Sequence, residues 1–316
     1  MICLSIESSC DETAVAIIKD KREVLANIVS TQIDIHKKYG GVVPEIASRE
    51  HISNIPFVVE EALKKANITF NDIDYIGVTY GPGLVGALLV GVAYAKALAY
   101  TLNIPIVPTN HMHGHIAANY ISYPDLKPPF LSLVVSGGHT NLVYVEDYTK
   151  FKMIAKTRDD AVGEAFDKVA RVLGLPYPGG PEVSKLAEKG KNSYKLPKTK
   201  FDNYDFSFSG IKTAVINLAH KEGEKLRKED LACSFETTVC EELVDTTISV
   251  MNDLKIKKVV LAGGVSANKY LRGLLKERVN ANNFEVYMPE LKYCTDNAAM
   301  IGVCLLYTSP SPRDCS

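Results

Sequence analysis

The sequence carries almost no net charge: 36 lysines and arginines stand against 37 acids, a formal balance of −1 over 316 residues. No global basic field therefore advertises a nucleic-acid binder, although a local basic patch would suffice for one. No C-x-x-C pair occurs among Cys3, Cys10, Cys233, Cys240, Cys294, Cys304 and Cys315, and an odd count of seven argues against a complete disulfide framework. Reduced thiols in a cytoplasmic protein are the expected state. Met1 to Glu7 has no basic segment and reaches an acid too early for a secretory signal. No G-x-x-x-x-G-K-[ST] string is present, which disfavours a P-loop nucleotide hydrolase.

What is present is the composition of a globular protein, 46% apolar and 23% charged, which excludes intrinsic disorder, collagen-like repeats and a disulfide scaffold. At roughly 150 residues per domain the length suggests two lobes, each able to bury a core without staples. Leu84–Leu102 holds a single charge, Lys96, but its Gly and Ala content and the absence of basic flanks predict a helix buried between a sheet and its neighbours rather than a membrane span.

The apolar pattern alternates in strands and then shifts to helical spacing, twice over. Strands are expected at Ile2–Glu7, Thr13–Ile18 and Val24–Val29, a helix over Pro44–Ala66, a strand at Ile73–Thr79 ending in Gly81-Pro82-Gly83, then a Gly/Ala-rich helix, a strand at Ile104–Thr109 and a helix from near His111. The second half repeats this with strands at Phe130–Val135, Leu142–Val145 and Phe151–Ala155, helices around Asp160–Leu173 and Leu231–Leu254, a strand at Val259–Ala262, a last strand at Glu285–Met288 and a helix opened by Asp296. The repetition predicts two α/β lobes, residues 1–125 and 126–304, around a nucleotide cleft; two unrelated α/β domains are the alternative. Tyr307 to Ser316 breaks the helical pattern, so residues 305–316 are read as a non-native tail outside the fold.

His111-Met112-His113-Gly114-His115 is the sharpest local signal. Residues four apart share a helix face, so His111 and His115 can hold one metal, with His113 pointing elsewhere; two partly exposed imidazoles are the plainer reading. A metalloprotease would need Glu at position 112, where this chain has Met. Glycine-rich turns at Gly81–Gly83, Ser136–His139, Pro178–Pro181 and Gly263–Ser266, with the polar turn Ser8–Glu12, suit backbone amides that approach phosphate. Each is also what any tight turn requires. Asp160 and Asp296 fit helix N-caps as well as ligands, and Asp167 fits a solvated helix face. Lys185–Lys200 holds six lysines against one acid, Glu188, as a solvated loop or a phosphate-contacting patch. Ser207–Gly210 and Tyr177–Pro181 read as loops.

Nine strings in order resemble one family: Ser8–Thr13, Gly81–Gly83, His111–His115, Val135–Thr140, Gly163–Lys168, Tyr177–Pro181, Phe206–Thr213, Ala262–Asn268 and Cys294–Asn297. Over about residues 1–303 the chain is similar to the tRNA adenosine threonylcarbamoyltransferases, formerly labelled O-sialoglycoprotein endopeptidases, in their bacterial and organellar branch. The resemblance implies a two-lobed actin/Hsp70/sugar-kinase-like fold with duplicated mixed-sheet lobes. It implies transfer of a threonylcarbamoyl group from threonylcarbamoyl-AMP to N6 of adenosine 37 in tRNAs reading ANN codons. Carried over position by position, His111, His115 and Asp296 would ligate one divalent metal, Fe2+ or Zn2+. Val134, Val135, Ser136, Gly137, Gly138, Asp167, Gly180 and Asn268 would bind the adenylate, while the family's frequent ribose-binding acid is replaced here by Ser184. Asp11 or Glu12 is the expected acceptor of the amine proton. The partners implied are tRNA, a paralogous scaffold subunit and a small ATPase subunit, with no membrane. A phosphotransferase or chaperone-like ATPase on the same fold is the competing reading, disfavoured because such enzymes use Mg²⁺ with carboxylates rather than imidazoles. A non-catalytic scaffold paralogue is the other, disfavoured because it would lack the metal ligands.

Overall fold

Three strands open the chain, β1 (Ile2–Glu7), β2 (Glu12–Lys19) and β3 (Glu23–Thr31), followed by a single helical turn, α1 (Ile33–His36), and a long helix, α2 (Pro44–Ala66). Then come β4 (Tyr75–Gly81), α3 (Val85–Leu102), β5 (Ile106–Asn110) and α4 (His111–Ser122). The computed structural model describes residues 1–20, 22–199 and 201–308 and divides into two units. The second unit, Lys127–Met288, holds β6 (Phe130–Val135), β7 (Thr140–Asp147), β8 (Lys150–Lys156), α5 (Val162–Leu173), α6 (Gly179–Ala187), α7 (Ser209–Glu222), α8 (Lys228–Asp253), β9 (Lys258–Ala262), α9 (Lys269–Ala281) and β10 (Glu285–Tyr287). A last helix, α10 (Ala298–Thr308), returns to the first unit.

The first sheet is ordered β3-β2-β1-β4-β5 and the second β8-β7-β6-β9-β10. In each, three antiparallel strands are extended by two parallel ones. The same order and sense twice is the duplicated two-lobed α/β architecture of the actin/Hsp70/sugar-kinase type. Leu4, Ile6, Val15, Ile17 and Ile76 of the first sheet pack on Ile55, Val59 and Ala62 of α2 and Ala95 of α3. In the second unit Phe166 of α5 meets Phe235 of α8 edge-on, ring centroids 5.0 Å apart, over Leu131, Leu133 and Val135.

Three expectations are corrected. The second unit stops at Met288 instead of running to 304, because α10 is apolar on every side and needs burial all round. It finds that burial on the first sheet, where Ser5 Oγ donates to the Ala298 carbonyl at 2.7 Å and Gly77 leaves room for Leu305. The helix therefore continues through 305–308, inside the expected tail, while residues 309–316 of that tail lie outside the described residues. The Gly/Ala-rich helix α3 is not buried on all sides: Ala87, Gly91, Ala95 and Ala99 form its packed stripe, and Val85, Leu89 and Tyr100 are exposed. Among the described residues it is the one helix long and apolar enough to cross a membrane, and its packed stripe is spent on the first sheet and α2.

One carboxylate in the second core makes no ion pair among the described residues. Glu242 of α8 is 6% exposed and neither oxygen makes a full hydrogen bond. Burial pushes its carboxyl up to about 7, only partly offset by the Ser207 and Thr199 amides. An acid raised on folding is still protonated in the native state where the unfolded chain has already lost its proton. Stability should therefore fall as pH rises from about 4.5 to about 7, by up to roughly 3 kcal/mol, and level off above. Urea unfolding across that range should show this slope flattened in Glu242→Gln; an unchanged slope would assign it to other groups.

Candidate functional site

β5 ends at Asn110, whose side-chain oxygen accepts the Met112 and His113 amides at 2.9 and 3.3 Å and so caps α4. The cap sets His111 at the first helical position and His115 one turn on, ring centroids 4.6 Å apart and planes at 79°. Asp296 reaches them from the segment before α10. The cap of α10 is Asn297, whose Oδ1 accepts the Met300 amide at 3.0 Å, so the capping role open to Asp296 falls to its neighbour. Asp296 Oδ1 instead lies 3.2 Å from His115 Nε2 and 3.6 Å from His111 Nε2. The three ligand atoms fall within 4.8 Å of one another, and His113 is not among them.

The donor set fits a divalent metal on two grounds. Both ring nitrogens of His115 are buried without a hydrogen bond, an expensive state for an imidazole that nothing binds. His111 is oriented as metal-bound histidines are, with the far nitrogen tied to a carboxylate: Nδ1 lies 3.1 Å from Glu7 Oε2 and 3.1 Å from Ser9 Oγ, leaving Nε2 toward Asp296. Glu7 ends β1 fully buried, and it is itself held by the Ser9 amide at 2.6 Å and the Thr79 hydroxyl at 2.5 Å. Burial alone would lower the His111 pKa, but Glu7 and Asp296 outweigh it and push it up to about 9. The surroundings thus demand positive charge at this point.

The turn from β1 to β2 carries Asp11 and Glu12 into the same surroundings. Burial, then Asp296, then Asp11, hold the Glu12 carboxyl well above the usual range. His51 of α2 braces the turn, its Nδ1 2.7 Å from Thr13 Oγ1 and its Nε2 2.9 Å from the Cys10 carbonyl.

In the second unit the expected adenylate residues fall into two neighbourhoods. Ser136–His139 is a tight turn from β6 to β7, closed by the Ser136 amide on the His139 carbonyl at 2.8 Å. Gly137 and Gly138 face open space. The turn lies against the start of α5, and there a β-carbon on Gly163 would meet the Ser136 carbonyl oxygen at 2.7 Å. Val134 and Val135 have fully buried side chains, so they offer a ligand only backbone. Asp167 of α5 accepts the Gly179 amide at 2.7 Å and fixes the start of α6, which brings it beside Gly180. One turn along α6, Ser184 meets Asn268 at 3.0 Å.

Several residues singled out by sequence do other work. Asp160 does not cap α5; it pairs with Lys168 and Lys212, each at 2.7 Å. Asp159 gathers the Ser207–Ser209 string, accepting the Phe208 amide at 2.8 Å and the Ser209 hydroxyl at 2.6 Å. The strings read as loops begin helices instead, α7 at Ser209 and α6 at Gly179. In the lysine run, Lys185 pairs with Glu182 at 2.7 Å and Lys198 with Glu241 at 2.6 Å, while Lys189, Lys191 and Lys195 are exposed and Lys200 lies outside the described residues.

These features define an α/β protein of the actin/Hsp70/sugar-kinase type that brings two histidines and an aspartate together at the end of its first sheet. Solved structures with this fold include HypF in a phosphate- and nucleotide-bound form, TM-score 0.64 at 17% identity over 97% of this chain and 46% of that one. Component A of (R)-2-hydroxyglutaryl-CoA dehydratase from Acidaminococcus fermentans matches with TM-score 0.58 at 17% identity, over 98% of this chain and 97% of that one. Residues 23–303 match the family TsaD, tRNA N6-adenosine threonylcarbamoyltransferase. Proteins of that name are 57% identical in Clostridium perfringens and 56% in Clostridioides difficile, over 95% and 96% of this chain and 91% of each relative. The chain belongs to the tRNA N6-adenosine threonylcarbamoyltransferase family and is an acyltransferase.

Proposed function

We propose that this enzyme transfers the threonylcarbamoyl group from threonylcarbamoyl-AMP to N6 of adenosine 37 in tRNAs reading ANN codons, in the cytoplasm. The observation that carries the reading is the convergence of His111, His115 and Asp296, from two distant segments, in a chain of this family. The adenylate is a mixed anhydride: the N6 amine forms a bond to the carbamoyl carbon, the bond from that carbon to the phosphate oxygen breaks, and AMP leaves. The chain's task is to position the amine, stabilise developing negative charge and exclude water. A single Fe2+ or Zn2+ held by His111, His115 and Asp296 would supply Lewis-acid stabilisation. Asp11 or Glu12, on the turn carried into the same surroundings, takes the proton released by the amine.

The Ser136–Gly138 turn, set at the start of α5, suits the adenylate phosphate. Asp167 and Gly180 border the same ligand. Exposed Ile52 and Phe57 on α2 and Val85, Leu89 and Tyr100 on α3 support a protein partner there, taken as a paralogous scaffold subunit acting with a small ATPase subunit. Lys189, Lys191 and Lys195 are the proposed tRNA contacts.

The test is a transfer assay with the partner subunits, synthetic threonylcarbamoyl-AMP and unmodified ANN-reading tRNA, the nucleosides being read by mass spectrometry. A threonylcarbamoyl mass on adenosine 37, abolished by chelator and restored by metal, is the expected result; no product from folded, metal-loaded protein would reject the substrate. Reversing the three lysine charges should weaken tRNA binding and flatten its salt dependence, and unchanged binding would move the contact elsewhere.

A further inference from the structure

The second unit buries a carboxylate that makes no ion pair among the described residues. Glu236 of α8 is 6% exposed, and its hydrogen-bond partners among the described residues are a hydroxyl and an amide: Oε1 accepts Ser184 Oγ at 2.6 Å and Asn268 Nδ2 at 2.7 Å. Both described hydrogen bonds fall on Oε1, so Oε2 has no protein donor among the described residues. A carboxylate oxygen that no protein donor occupies is open to a hydroxyl donor from outside the chain.

What completes it is indicated by its surroundings. Asn268 is wholly engaged by the protein, its Oδ1 capping α9 through the Leu271 amide at 2.8 Å and its Nδ2 shared between Glu236 and Ser184. It can therefore aim the Glu236 carboxylate, but it has little left to offer a ligand. Ser184 lies one turn along α6 from Gly180, where an added β-carbon would meet nothing within 4 Å. A carboxylate beside that opening repels phosphate and accepts hydroxyl donors. Acids play this part toward ribose in dinucleotide-binding folds.

We infer that Glu236 is the ribose-recognising residue of the adenylate site, Oε2 accepting the hydroxyls of the sugar while Ser184 and Asn268 hold Oε1. The inference rests on the reading of this unit as the adenylate-binding one. It gives Asn268 a positioning role and moves ribose recognition from α6, where Ser184 carries no charge, to α8.

The experiment is calorimetric titration of the full chain with AMP and with 2′,3′-dideoxy-AMP. The wild type should bind AMP roughly tenfold more tightly than the dideoxy compound, the size expected for a hydrogen bond to a charged acceptor. Glu236→Gln keeps an acceptor for Ser184 and Asn268 but turns the other position into a donor; it should bind AMP roughly tenfold more weakly and discriminate less than twofold. Ser184→Ala, at a half-buried position, leaves the acid in place but loosens its aim, and should lose about threefold of the discrimination. Full discrimination in both variants would overturn the role of Glu236 alone. A wild type that binds neither nucleotide would overturn the adenylate reading with it.

Discussion

Replacing His115 by alanine should abolish binding of the divalent metal proposed for this site and lower threonylcarbamoyl transfer by about a thousandfold, the effect of losing roughly 4 kcal/mol of charge stabilisation at the reacting group. The fold should survive. His115 is buried and neither ring nitrogen makes a hydrogen bond, so the substitution breaks none and removes only the ring's packing. Metal content by plasma mass spectrometry, thermal melting and the transfer assay together check the prediction. A variant that keeps its metal, or loses it without losing activity, would remove His115 or the metal from the mechanism. Glu7→Gln should lie between: it leaves three ligands in place but weakens the grip on His111 Nδ1, and metal affinity should fall by about 10–100-fold. The contrast separates a ligand from the carboxylate that orients one.

The difference between those two residues also marks how far the site was legible in the sequence. His111 and His115 were visible because α-helical spacing alone puts them on one face. Asp296 came by family resemblance, since no local rule links a residue 181 positions after His115 to it. Glu7 left no signal. At the end of a buried strand an acid looks like the first polar residue of the following turn, and only the pairing of β1 with β2 and β4 shows that it turns inward to Thr79 and His111. Glu236 is hidden in the same way, one of several acids on a long helix whose pattern does not tell the buried ones, Asp230, Glu236 and Glu242, from the rest. Strand bounds follow from the sequence to within a residue or two, because alternation is local. Chain order alone places α10 in the second unit, whereas it joins the first, because which sheet an apolar helix joins depends on shape. Here the deciding shapes are Gly77 opposite Leu305, and Gly302 against Ser5 and Ile18.

Gly263→Ala should destabilise the second unit by about 4 kcal/mol, although Gly264→Ala beside it should be nearly neutral. From sequence, Gly263-Gly264-Val265-Ser266 is a single glycine turn; in the structure its two glycines have different tasks. Gly263 has φ +89° and ψ 166°, a region that residues with a β-carbon avoid. A β-carbon there would lie 2.3 Å from the Val135 carbonyl oxygen and 2.8 Å from its carbon, backbone atoms that cannot rotate aside. Relief requires β9 to part from β6, the strand that ends in the Ser136–Gly138 turn, so stability and AMP binding should fall together. At Gly264 the backbone is ordinary and nothing stands within 4 Å of an added carbon. A methyl group at Gly264 should thus leave urea unfolding within about 1 kcal/mol of the wild type. Equal stability of the two variants would mean that β9 and β6 part at this point without cost and that the positive φ carries no strain, and would overturn both arguments.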